Sequence, residues 1–265
     1  MRPTYWRTPF LIPLFAGLTC FGTSCAMYNP SATSTPLVTT CTIPADQTGT
    51  IEGQWPVNPI VMGFHQGDFD PNTEIPALVA GTTTWNTFFT ASKKITLFNA
   101  GAASAPTVSP AADPVNTLCS ATVATSSGFS GTVLVYKLGS WPYSHDAMAL
   151  TNFCTVPQTP YKRIKNAVIE INYEDFFVAG KKIPDLQTIF THELGHLLGL
   201  NHSCASAATT GFPNCNDPTI SPTYASMAAI MYPSFGFYDT GNGIQDRTLG
   251  TNDQERANCL YGPQP

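Results

Sequence analysis

Residues 185–202 read DLQTIFTHELGHLLGLNH, the most informative segment of the chain. The leucine, isoleucine and phenylalanine residues recur at helical spacing, which predicts a helix over residues 186–199 with one buried face. Asp185 is a suitable N-cap directly after Pro184, because its side chain can accept a hydrogen bond from an N–H group of the first turn. Gly199 can adopt positive φ, so it can end the helix and turn the chain back.

The predicted helix carries two histidines on one face. His192 and His196 lie one helical turn apart, as two ligands of a single metal ion must. After the turn at Gly199, His202 can complete a three-histidine site with an open fourth position, which is the catalytic arrangement of zinc. Glu193 lies beside the first ligand, where it can act as general base toward a zinc-bound water. These residues predict one catalytic Zn²⁺ and metal-assisted hydrolysis of an amide bond.

The alternative interpretation is that these histidines are ordinary core or surface residues. In chains of this composition, three histidines, a glutamate and a glycine in this register arise by chance in roughly a few chains per million. A bare His-Glu-x-x-His pattern would be a far weaker signal. The longer pattern therefore favours a metal site.

The pattern His-Glu-x-x-His-x-x-Gly-x-x-His over residues 192–202 is the signature of the metzincin metallopeptidases, and the chain resembles that group. Residues 229–233, Ala-Ile-Met-Tyr-Pro, look like the Met-turn below the metal, in the form found in the matrixins. Residues 249–262 are similar to the last matrixin helix, which often ends in Leu-Tyr-Gly. The resemblance covers about residues 55–262 and is most specific over residues 185–202.

The resemblance implies an α+β fold of the metzincin type. Its core is a twisted mixed β-sheet with two long helices, and a small C-terminal subdomain ends in a helix. The N-terminal subdomain would reach to about residue 199, and the C-terminal subdomain would span residues 200–265.

The resemblance also implies roles around the metal. Met231 would form a hydrophobic floor beneath the zinc, whereas Tyr232 is not assigned to the metal. Residues 147–153 would be an antiparallel edge strand along which an extended peptide docks. Residues 234–244 would shape the pocket beyond the scissile bond, but individual substrate-binding residues stay unassigned.

Three features depart from the matrixin pattern, one of them being that the usual matrixin calcium ligands and second zinc site are not recognisable. The link between His202 and Met231 is long and holds Cys204 and Cys215, which we interpret as a disulfide-closed surface loop rather than an altered cleft. A matrixin-type propeptide domain and cysteine switch are not recognisable in the sequence. Cys41 could in principle cap the zinc from the preceding segment.

Calcium is a further candidate ion without assignable ligands. The carboxylates to consider are Asp68, Asp70, Asp239 and Asp246. Aspartates in glycine- and proline-rich turns are more often turn residues than ligands. His65 and His145 have no partner at ligand spacing, so we interpret both as structural residues.

The N-terminus has the pattern of a signal peptide over residues 1–26, with basic residues before an apolar run too short to span a bilayer. The predicted cut follows Ala26; alternatively, Cys25 is the lipidated residue of an N-terminal anchor. Residues 27–54 are rich in Ser, Thr and Pro and predict an extended linker. The catalytic domain is therefore expected over residues 55–265.

Upstream of residue 185, apolar and alternating runs predict one strand, then a helix, then four further strands. The helix is predicted over residues 74–89, and the strands over residues 60–65, 94–98, 132–138, 147–153 and 167–173. Residues 100–116 are rich in Ala, Pro and Ser and predict a surface loop.

The composition excludes several classes of partner. Of 265 residues only 11% are charged, and the net charge is −5, which argues against a surface for nucleic acid or an anionic membrane. No segment after residue 26 is apolar enough to cross a membrane. Without Cys20 and Cys25, six cysteines remain and predict three disulfides, with Cys204–Cys215 as the first candidate pair.

These features predict a secreted or extracytoplasmic zinc endopeptidase that acts as a monomer on a protein or peptide substrate. The alternative is a catalytically silent metzincin-like module for adhesion or binding. The intact Glu193 argues against that alternative, because a silent module does not need the base. The sequence does not indicate the physiological substrate.

Overall fold

The computed structural model describes residues 35–56, 59–64, 69–100, 133–207, 209–225 and 227–261. Several predictions lie outside these ranges: the signal peptide over residues 1–26 with Cys25, the loop after residue 100, and the residues His65, Asp68 and Cys119. Among the described helices, none is long and apolar enough to cross a lipid bilayer.

The described strands form one sheet. They are β1 Gly53–Gln54, β2 Ile60–Phe64, β3 Phe98–Ala100, β4 Val133–Leu138, β5 Ala149–Val156 and β6 Lys162–Asn172. Strands β3, β2, β4 and β6 lie side by side and run parallel, and the short β1 pairs in parallel with the start of β6. Because β5 runs antiparallel to β6, the sheet is mixed, in agreement with the α+β prediction.

Strand β5 lies at an edge of the sheet. Residues 167–171 of β6 pair with both β4 and β5, so these two strands flank β6 on opposite sides. Among the described strands, β5 pairs with β6 alone. The prediction of an antiparallel edge strand near residues 147–153 is confirmed, and the N–H and C=O groups of its outer edge can pair with an added peptide strand.

The described helices are α1 Glu74–Lys93, α2 Leu186–Leu198 and α3 Thr251–Leu260. Helices α1 and α2 pack against each other through a core of large aromatic side chains. Trp85 of α1 is fully buried, and its indole N–H donates to the carbonyl of Thr191 in α2 at 2.8 Å. Phe89 and Phe190 are fully buried in the same core. This packing holds α2, which carries the histidines, firmly in the interior.

Both ends of α2 have the predicted caps. The Asp185 carboxylate accepts a hydrogen bond from the backbone N–H of Thr188 at 2.9 Å. Gly199 ends the helix with φ of 103°, and a Cβ atom on it would lie 1.8 Å from the carbonyl oxygen of Gly53. Only glycine fits, because the turn combines left-handed φ with close backbone contact. The turn brings His202 back to the helix.

Two predicted strands differ most from the observed ones, and the strand predicted over residues 147–153 is observed at Ala149–Val156. Residues 94–98 were expected to be a strand, but α1 continues to Lys93 and β3 begins at Phe98. The side chain of Asn86 accepts the N–H and donates to the C=O of Phe98, so helix α1 itself fixes where the strand starts. The strand predicted over residues 167–173 is longer as β6, because its polar first half pairs with β1 and with the end of β5.

The predicted linker over residues 27–54 is folded where the structure describes it. We call residues 38–54 the strap. Within it Gln47 and Thr50 are fully buried, and Cys41 is bonded to Cys259 of α3. The Ser- and Thr-rich composition suggested a solvated chain, but the side chains of Gln47 and Thr50 are buried and hydrogen-bonded inside the fold instead.

The described cysteines are all oxidised. The predicted pair Cys204–Cys215 is confirmed, and Cys41–Cys259 joins the strap to α3. Cys154 is also disulfide-bonded. The suggestion that Cys41 caps a metal is therefore wrong, because its sulfur is bonded to another cysteine. Disulfides of this kind fit an extracellular protein.

Candidate metal centre

The three predicted ligands converge on one point. His192, His196 and His202 offer ligand nitrogens that all lie within 4.8 Å of one another. The Nε2 atoms of His196 and His202 are 3.2 Å apart. Two nitrogens bound to one tetrahedral zinc at 2.0–2.1 Å would be about 3.3 Å apart, so this separation fits a shared metal ion.

The tautomers of two ligands are set by backbone carbonyls. His192 donates from Nδ1 to the carbonyl of Ile230 at 2.7 Å, and His196 donates from Nδ1 to the carbonyl of Leu200 at 2.9 Å. A carbonyl oxygen can only accept, so each Nδ1 carries the proton and each Nε2 keeps a lone pair. Lone pairs that face a common point are the donor set that a cation such as Zn²⁺ requires.

Burial keeps the three imidazoles neutral. It lowers the pKa of His192 well below its usual value, that of His196 to about 3 and that of His202 to about 4. Neighbouring imidazoles lower the pKa of His192 and of His196 further, and the buried cation Arg256 lowers the pKa of all three. At neutral pH the nitrogens are therefore free of competing protons, which a metal would otherwise have to displace.

The side chain of Glu193 reaches from helix α2 to strand β5. Its carboxylate accepts a hydrogen bond from the Thr151 hydroxyl of β5 at 2.7 Å. Burial raises the pKa of Glu193 to about 7, although the Thr151 hydrogen bond opposes that shift. A carboxylate with a pKa near neutrality can both take and return a proton.

The residues of the predicted Met-turn pack against helix α2. Met231 is fully buried, and a Cβ atom on Gly195 of α2 would lie 2.1 Å from its sulfur. Gly195 therefore leaves room for Met231 to pack directly under the helix. Ile230 supplies the carbonyl that orients His192. Tyr232 lines a separate small cavity.

A cleft of about 610 Å³ runs beside the histidines. One wall is the edge strand with residues 147–151, and the other includes residues 233–235 and Phe237. Glu193 lines the same cleft. The free strand edge, the carboxylate and the metal ligands therefore face one common space.

Two residues of α3 that support the site were not predicted from the sequence. Asp253 is fully buried and accepts N–H groups from Ile230 at 2.7 Å and Met231 at 3.2 Å. Arg256 is fully buried and donates from Nη1 to the carbonyl of Asn201 at 2.9 Å. A polar helix without apolar periodicity gives no sequence signal for such contacts.

Other candidate ligands do not join a metal cluster. Within the described ranges, the histidine triad is the one group of three or more His, Cys, Asp or Glu residues close enough to hold an ion. None of the candidate calcium ligands Asp70, Asp239 and Asp246 belongs to such a group among the described residues. His145 donates from Nδ1 to the Asp175 carboxylate at 2.7 Å on the surface, in line with its structural interpretation.

The half-buried Asp246 carboxylate is expected to make the free energy of unfolding depend on pH. Burial, and then the charge of Asp253, raise the pKa of Asp246 to about 6. The folded state thus holds this proton more tightly than the unfolded state does. The free energy of unfolding should therefore fall as the pH rises from about 4 to 6, by up to about 1.4 kcal/mol per pH unit.

Asp246→Asn should consequently be more stable than the parent at pH 7, and the gain should vanish below about pH 4. Urea unfolding at both pH values measures the difference. Asp217→Asn is the control, because hydrogen bonds from Thr219 lower the pKa of Asp217 and its removal should give no gain at pH 7. An equal gain from both variants would contradict the assignment.

The established core of the site is a histidine triad that could hold a metal ion, with His192 buried and His196 and His202 half-buried, within a mixed α/β fold. No protein-family model matches the chain, and the search of curated proteins gives no significant match. The chemistry of the centre must therefore be inferred from its own residues.

Proposed function

We propose that the protein is an extracytoplasmic, zinc-dependent endopeptidase of matrixin-like metzincin type. The observation that carries this proposal is the arrangement of three neutral imidazoles around one point, with the carboxylate of Glu193 in the same cleft. Structural zinc sites are closed by four protein ligands, whereas a site of three histidines leaves a position for water or substrate. The open arrangement favours catalysis over a structural role.

The edge strand supports a peptide as the substrate class. Strand β5 forms one wall of the cleft and has a free outer edge among the described residues. An extended peptide can add to such an edge through main-chain hydrogen bonds, which makes binding tolerant of sequence. Side chains beyond the scissile bond would then enter the space lined by Phe235 and Phe237.

The residues of the cleft then have separate roles in the proposed hydrolysis. When bound, zinc acts as a Lewis acid that activates water and polarises the scissile carbonyl. His192, His196 and His202 would hold the ion, and the carbonyl of Ile230 keeps His192 in the correct tautomer. Glu193 takes a proton from the attacking water and returns it to the leaving amine. Thr151 holds the Glu193 carboxylate toward the cleft.

The proposal is tested by an assay of the purified protein on a casein-type unfolded substrate. We expect one zinc per chain by metal analysis, loss of cleavage after removal of zinc by a chelator, and recovery when zinc is restored. Stoichiometric zinc without cleavage would instead favour the silent binding module. A protein that binds no zinc would contradict both.

A further inference from the structure

The third histidine is held differently from the first two. His192 and His196 are fixed by the backbone of α2, whereas His202 lies in the loop of residues 199–203, which we call the third-ligand loop. The backbone N–H of His202 donates to the side chain of Asn201 at 2.8 Å. The position of His202 therefore depends on whatever holds this loop.

The strap holds the loop at both ends. Near its start, the N–H of Glu52 donates to the carbonyl of Gly199 at 2.8 Å, and Asn201 donates its N–H to the carbonyl of Thr50 at 2.8 Å. The Asn201 side chain also donates to the Glu52 carboxylate at 2.5 Å. The same Asn201 side chain therefore binds the strap through one end and the N–H of the third ligand through the other.

Gln47 secures the other end of the loop. Its side chain is fully buried, and Nε2 donates to the carbonyl of Ser203 at 2.6 Å. Its Oε1 accepts from the Asn252 side chain of α3 at 2.6 Å. A buried amide with both ends bonded has one orientation, so it fixes the distance between α3 and the residue after His202.

The strap is itself fastened to α3. The Cys41–Cys259 disulfide joins the two covalently. The N–H of Val38 donates to the Gln254 side chain at 2.9 Å, and the Asn258 side chain donates to the carbonyl of Val38 at 2.8 Å. The strap therefore connects the last helix to the third-ligand loop.

We propose that the strap positions His202 and thereby sets the metal affinity of the site, with Gln47 as its central positioning residue. This inference rests on the proposed metal site and not on peptidase activity. Groups that orient metal ligands typically change metal affinity by about 10–100-fold when they are removed. Gln47→Ala leaves the three ligands in place and removes the bond from the strap to Ser203, directly after His202. Ser203 keeps its hydrogen bonds to the carbonyls of Met231 and Tyr224, so the variant loosens the loop without unfolding it.

The experiment measures the zinc dissociation constant of the full chain by competition with a chromophoric chelator. We expect Gln47→Ala to bind zinc about 10–100-fold more weakly than the parent. The matched control is Asn86→Ala, because Asn86 also uses its amide to hold backbone groups, those of Leu97 and Phe98, away from the strap. That control should lower the melting temperature and leave zinc affinity unchanged.

Double variants separate positioning from general destabilisation. In a His202→Ala background, Gln47→Ala should cause no further loss of zinc affinity, because its target is already absent. In a His196→Ala background, the loss should be retained. If Gln47→Ala does not fold, Cys41→Ser combined with Cys259→Ser releases the strap in another way and should weaken zinc binding and reduce the visible absorption of the cobalt-substituted site.

Parental zinc affinity in Gln47→Ala, or an undiminished loss in the His202→Ala background, would overturn this role of the strap. In either case the metal site itself would stand, since the parent protein still binds zinc. A parent that binds no zinc is a separate result that removes the metal site and this inference together.

Discussion

Replacement of Glu193 by Gln is expected to lower kcat/KM for peptide cleavage by about 10²–10⁴-fold while the protein still binds one zinc ion per chain. The amide keeps the shape of the side chain and can still accept the hydrogen bond from Thr151. It cannot take a proton from water, so the acid–base step is lost. Because Glu193 is not one of the three clustered ligands, the metal should remain.

Three measurements on one preparation test this prediction: cleavage of an unfolded protein, zinc content and the melting temperature. Asp217→Asn is the matched control, because it removes a carboxylate from an exposed turn and should leave cleavage unchanged. Loss of zinc in the Glu193 variant would mean that the carboxylate supports the metal. Cleavage at the parental rate would contradict its role as base.

Helix α2 and its histidines were predictable because everything that defines them is local. The N-cap bonds a residue three positions further on, and the C-terminal turn needs only the glycine. Histidines at helical spacing must share a face, whatever the rest of the fold does. The edge position of β5 came instead from the family resemblance, since its register depends on pairing with β6.

The strap was not predictable for the opposite reason. Gln47 bonds to Ser203, which lies 156 positions away in the sequence. Polar residues of this kind have no apolar periodicity, and their composition is that of a solvated linker. Only the tertiary structure shows that the Gln47 amide is buried and hydrogen-bonded.

Helix α3 is a second case in which polar residues build the interior. Asn252, Asp253 and Arg256 are all fully buried, although their residue types are normally exposed. The Asp253 carboxylate accepts N–H groups from Gly250, Ile230 and Met231, so the helix start and the Met-turn are held by one side chain. Burial of the Asp253 carboxylate is tolerated because it is hydrogen-bonded and the Arg256 cation lies nearby.

Asp253→Ala is therefore expected to lower the free energy of unfolding by about 3–5 kcal/mol. Arg256 is fully buried with Asp253 as its ion-pair partner at 3.7 Å, and burial lowers its pKa only to about 10, so it stays charged at neutral pH. Removal of the carboxylate leaves this charge uncompensated and three N–H groups without their acceptor. Urea unfolding of the metal-free proteins at pH 7 measures the loss.

Part of that loss should come from the uncompensated charge of Arg256 and part from the N–H groups that lose their acceptor. A second variant separates these two contributions. Asp253→Leu combined with Arg256→Met removes both charges, so it should be less destabilised than the sum of the two single replacements. Because the Ile230 carbonyl orients His192, Asp253→Ala should also weaken zinc binding. A loss below about 1 kcal/mol in Asp253→Ala would show that Arg256 is solvated in the folded protein, and that α3 does not hold the Met-turn through this pair.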